Sequence, residues 1–91
     1  GASLSSNVET LYHILDGHAE ALEFAVRENS AVTGIPLSDL RLKHNLLVAS
    51  INRGGVVHIP RGQDIIQPGD TVIIVTSVKG LNDLTDILAG K

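Results

Sequence analysis

Apolar and polar residues change period several times along this chain, and each change marks an element. Val8, Leu11, Ile14 and Leu15 recur at helical spacing behind Ser6-Asn7-Val8-Glu9, which has the Ser-x-x-Glu arrangement of a capping box. A first helix is expected over residues 7–16, closed by Gly17. Over 21–27 the period shortens to two. Leu22, Phe24 and Val26 share one face of a strand, with Glu23 and Arg27 on the other. Pro36 suits the first turn of a short second helix over 36–41, with Leu37, Leu40 and Leu42 inward. Residues 46–51 are apolar on both faces except for Ser50, as in a central strand or one covered by a partner. Gly54-Gly55 supplies the positive φ angles of a tight hairpin leading to a strand over 56–59, which Pro60 ends by removing a ladder donor. Pro68-Gly69 is the central pair of a type II turn before a strand over 71–77. A third helix is expected over 80–88, with Leu81, Leu84 and Leu88 inward.

These elements fit a small α+β domain in a chain of 91 residues. Hydrophobic residues make up 43%, too many for a disordered segment, yet no apolar run approaches the roughly 20 residues of a membrane-spanning helix. A net charge of −3 and only two aromatics, Tyr12 and Phe24, argue against a nucleic-acid surface. Without Cys there is no disulfide, thiol nucleophile or zinc–thiolate site, which fits a reducing cytoplasm. Gly1-Ala2-Ser3 reads as a tag remnant, so the chain is expected to be cut from a longer protein, with residues 1–18 as tag and linker helix and 19–91 as the domain proper.

No residue pattern speaks for catalysis. His13 and His18 flank a helix break at a spacing that does not put both imidazoles on one face, and His44 and His58 have no local ligand set. There is no Gly-x-Ser-x-Gly, and the glycines do not form a dinucleotide fingerprint. Asp64 and Asp70 lie in turns, where Asp commonly accepts from local backbone N–H groups. What remains is a polar cluster: Arg41, Lys43, His44 and Asn45, with Asn52 and Arg53 at the far end of the next strand. It reads either as solvated surface or as an anion or nucleotide pocket, in which Arg gives bidentate donors and Asn reads a base edge.

The run Ile51-Asn52-Arg53-Gly54-Gly55-Val56-Val57-His58-Ile59-Pro60-Arg61-Gly62, continued by Ile66-Gln67-Pro68-Gly69-Asp70 and preceded by Gly34-Ile35-Pro36-Leu37-Ser38-Asp39-Leu40, resembles the TrkA C-terminal (RCK_C) domain family over nearly the whole chain. The resemblance implies a β-α-β-β-β-α core, here with an extra N-terminal helix, that pairs as a homodimer. It implies a non-enzymatic, cytoplasmic regulatory and ligand-sensing role, peripheral to the inner face of the membrane. The domain would follow a Rossmann-type nucleotide-binding domain and control a transmembrane potassium transporter allosterically. The alternatives are a ligand-free dimerisation module and a regulatory domain fused to an antiporter or anion carrier. No cofactor is expected within the chain itself, and the implied effector is cyclic di-AMP or another small anion. By position, the ligand would meet Arg41, His44, Asn45, Leu46 and Leu47 in the dimer cleft, with Arg41 on a phosphate. The departure is Leu47, where cyclic di-AMP binders can carry Asn. The dimer interface would use Pro36, Leu37, Leu40, Leu47, Ala49 and Ile51.

Overall fold

A computed structural model describes residues 6–90. Five strands form one sheet: β1 (Ser6–Ile14), β2 (Ala19–Val26), β3 (Leu46–Arg53), β4 (Val56–His58) and β5 (Thr71–Thr76). Their spatial order is β1-β2-β5-β3-β4, and every neighbouring pair is antiparallel. The last strand in sequence therefore lies at the centre. The domain is mostly antiparallel sheet, and among the described residues its helical content is the short 3₁₀ turns Leu37–Asp39 and Leu84–Ile87, with a left-handed turn at Leu15–Gly17 between β1 and β2.

The expected N-terminal helix is the first correction. Residues 6–14 pair with β2 along their length, Val8 opposite Phe24 and Leu11 opposite Leu22. A register shift between Val8 and Thr10 inserts one extra residue. Such a bulge returns residues three apart to the same face. The i, i+3 spacing of Val8 and Leu11 thus belongs to a bulged strand and imitates a helical stripe.

The two later helices are shorter than expected for a common reason. The turn Leu37–Asp39 ends at Leu40, whose backbone is already extended, and Leu42 forms an antiparallel bridge with Leu88. Around that bridge the Lys43 N–H donates to the Ile87 carbonyl (2.8 Å) and the Ala89 N–H to that of Arg41 (2.7 Å). Each segment is drawn straight by pairing with the other before a second helical turn can form. Asp83 caps the turn Leu84–Ile87 with a capping box to Asp86.

The inner face of the sheet carries Leu22, Phe24 and Val26 from β2, Val72 and Ile74 from β5, and Val48 and Ile51 from β3, all buried. Val32, Ile66, Leu81, Leu84 and Ile87 close over it from the connecting segments. Both Gly54 and Gly55 have positive φ, so the β3–β4 hairpin turns as expected, and the Asn52 side-chain carbonyl accepts from the Gly55 N–H (3.0 Å). On the opposite face, register places Tyr12 beside Ala21, Ala21 beside Val75, and Val75 beside Leu47. Tyr12 and Leu47, at the two ends of that apolar row, are about three-fifths exposed, at 62% and 61%.

Candidate functional site

The polar cluster expected between the second helix and β3 divides once its partners are known. Arg53 belongs to the framework. Its Nε and Nη2 donate to the two oxygens of Asp70 (2.8 and 2.9 Å), and Nη2 also reaches the Ile65 carbonyl (2.9 Å). Asp70 is 1% exposed and also accepts from the Gln67 N–H (2.8 Å), closing the Pro68-Gly69 turn. Burial alone would push the Asp70 carboxyl up. The Arg53 and Gln67 hydrogen bonds, with the charge of Arg53 and more weakly His58, outweigh it and hold the group below its ordinary value. The same pairing raises the Arg53 pKa. Lys43 is also committed, since its Nζ donates to the Asp86 carbonyl.

Arg41, His44 and Asn45 are exposed. Asn45 adopts a positive φ of 60°, and its carbonyl accepts from Thr76 Oγ1 (2.9 Å) and the Ser77 N–H (3.1 Å), pinning the start of β3 to the end of β5. The remaining expected residues gather beside this turn. Leu46 and Leu47 line a shallow cleft of about 240 Å³, with Leu42 and the buried Val48. Leu37, Ser38, Pro60, Arg61 and Gly62 complete its lining. Arg41 does not line it.

The 37–38 and 62–64 segments beside the cleft are joined by backbone. The Leu37 N–H donates to the Asp64 carbonyl and the Ser38 N–H to that of Gly62, both at 2.9 Å. Gly62 suits this approach, because a Cβ there would stand 3.1 Å from the Ser38 Cβ, a tight contact that the Ser38 side chain would have to relieve. Residues 60–62 were not legible as site residues. They are far from β3 in sequence, and only the β3–β4 hairpin returns them to Leu46 and Leu47.

Of the residues assigned to a dimer interface, Leu37 and Leu47 reach the cleft, and Pro36, Leu40 and Ala49 are half-buried. Ile51 is fully buried in the core and leaves the interface set. Its strand is apolar on both faces in sequence because the bulge between Val48 and Ser50 carries Ile51 inward with Val48. His13 lies 3.9 Å from the buried Glu20, which Lys79 also approaches (3.7 Å). Among the described residues no group of three or more His, Asp or Glu side chains is placed to hold a metal ion.

The sequence matches the family profile described as the TrkA-C domain over residues 21–89. The chain belongs to the TrkA-C family. A Trk system potassium uptake protein TrkA homologue from Archaeoglobus fulgidus is 38% identical over 71 residues, 78% of this chain and 16% of that protein. The Trk system potassium uptake protein TrkA of Haemophilus influenzae is 38% identical over 76 residues, 80% of this chain and 16% of that protein. A TrkA homologue from Pyrococcus abyssi is 34% identical over 74 residues, 80% of this chain and 33% of that protein. The chain thus spans between a sixth and a third of the length of these curated relatives. The profile begins within β2, so β1 lies outside the matched region.

Proposed function

We propose that this TrkA-C domain is the regulatory, effector-sensing module of a potassium uptake system, and that it performs no catalysis. Its effector site is the Leu46–Leu47 cleft, and the effector is a small anion with an apolar body, cyclic di-AMP being the first to try. The observation that carries this reading is the cleft itself: a leucine-lined surface with an arginine at its lip, two of whose lining segments are joined by backbone bonds, on a domain whose relatives are potassium uptake proteins. Preorganised apolar clefts with a few fixed polar groups are what small ligands use.

In the intact system the domain works as a homodimer on the cytoplasmic side, linked to a Rossmann-type nucleotide-binding domain and through it to a transmembrane transporter. The exposed Leu47 supports the pairing, since it belongs both to the cleft and to the uncovered apolar row Tyr12–Ala21–Val75–Leu47. A partner covering that row would also close the open side of the cleft. Regulation then follows if the effector binds one dimer geometry better than another, because only differential affinity moves such an equilibrium. The same uncovered row favours a second reading, a dimerisation module without a ligand. Calorimetric titration of the 91-residue chain with cyclic di-AMP separates them. Heat release with a raised melting temperature supports sensing. No heat and no shift at millimolar ligand leaves the dimerisation module.

A further inference from the structure

We propose that β1 is a releasable strap, which leaves the sheet about a hinge at Leu15–Gly17 while the rest of the domain stays folded, and so uncovers the edge of β2. The inference stands apart from the effector site and does not depend on it. β1 is the end strand of the sheet and pairs with β2 alone. The bulge between Val8 and Thr10 interrupts that single ladder. Among the described apolar side chains of β1, Val8 is the one packed against the hydrophobic core, whereas Leu11 is 43% exposed. Near the start of the strand the Glu9–Arg27 ion pair is 4.0 Å long with both side chains exposed, an arrangement worth little. Few buried apolar contacts and a solvent-facing ladder are the marks of a segment that opens locally.

The hinge is set apart from the strap by its anchoring. Leu15, Asp16 and Gly17 all have positive φ, and the His18 N–H closes the turn on the Leu15 carbonyl (3.1 Å). Leu15, at φ 53°, carries the cost of a bulky side chain in the left-handed region, and at 72% exposure its packing offsets little of it. On the β2 side, Lys79 Nζ donates to the Gly17 carbonyl (3.0 Å) and lies 3.7 Å from the buried Glu20 carboxylate. The turn is thereby tied to the segment that follows β5. Release of β1 takes away His13, 3.9 Å from Glu20, yet leaves Lys79 beside it, so the enclosed carboxylate keeps a cation. β2 meanwhile stays paired with β5 from Glu20 to Ala25, with Leu22, Phe24 and Val26 in the core. An uncovered strand edge of this kind is a template for another strand.

The test is native-state amide exchange on the 91-residue chain and on a Tyr12→Cys/Ala21→Cys variant, in which the introduced pair holds the only thiols. Tyr12 and Ala21 are direct partners across β1 and β2, and antiparallel partners stand roughly 4.5–5.5 Å apart at Cα, within disulfide reach. In the wild type the amides of residues 11–13 are expected to exchange at least about tenfold faster than the slowest of β5, with a smaller dependence on urea because their opening exposes little surface. Oxidising the cysteine pair should bring residues 11–13 to the β5 rate, and reduction should restore the difference. If residues 11–13 and β5 share one rate and one urea dependence in the wild type, β1 unfolds only with the whole domain and the strap is overturned. Exchange at residues 11–13 that stays fast with the disulfide closed would overturn it equally, since no release is then needed.

Discussion

Arg53 and Asp70 stand 17 residues apart in sequence and are joined by two hydrogen bonds, with the carboxylate almost wholly enclosed. Removing one partner of such a pair leaves the other poorly solvated. Arg53→Met is expected to destabilise the fold by about 3 kcal/mol, the low end of the range for buried pairs because Arg53 itself is partly exposed. Urea unfolding measures it, and a loss no larger than that of Arg41→Met would contradict the pairing. The pH dependence follows from the depressed Asp70 pKa. Its stabilisation is complete above the ordinary carboxylate range near ~3.9 and is lost as pH falls through the lower folded value. The stability gap between wild type and Asp70→Asn should therefore narrow on acidification below about pH 4. A gap constant from pH 6 to pH 2 would contradict it. Asp70 was readable from sequence as a turn residue. Arg53 reads from sequence as part of a binding cluster, because its partner is brought to it only by the sheet.

At the scale of elements, β2, β3, β4, β5 and the hairpin at Gly54-Gly55 are legible, from alternation in β2, short apolar runs in the other three and the paired glycines. β1 is not. Its bulge between Val8 and Thr10 replaces alternation with a three-residue step, and Ser6 and Glu9 add the appearance of a cap. The helices over 36–41 and 80–88 were placed correctly but overextended, since the Leu42–Leu88 bridge that shortens both cannot be seen in either segment alone. The β1 strand predicts extended-type carbon chemical shifts over residues 7–14 and an interstrand contact between Leu11 and Leu22. Helical shifts there would restore the linker helix. Within the cleft, Gly62→Ala should lower stability by about 1 kcal/mol, because the added methyl must push back the Ser38 side chain. Denaturation with no change in midpoint would show that the two walls are less tightly joined.

For the whole molecule, only part of the candidate site is legible in sequence: Leu46 and Leu47 are expected there, whereas Pro60, Arg61 and Gly62 reach them only through the tertiary fold. The exposed Leu47 and Tyr12 at the ends of one apolar row lead to the expectation of a homodimer at micromolar concentration. Leu47→Asp should shift light scattering towards the 9.6 kDa monomer, and a wild-type chain that is monomeric at every concentration would contradict the pairing. The most direct test of effector sensing at the cleft is a titration of the isotopically labelled chain with cyclic di-AMP, followed by amide chemical shifts. Saturable changes confined to the cleft, at Leu37, Ser38, Leu42, Leu46, Leu47, Val48, Arg61 and Gly62, reaching completion at one ligand for two chains, are the predicted result. Unchanged spectra at millimolar ligand, or changes centred on the Gly54-Gly55 hairpin instead, would contradict it.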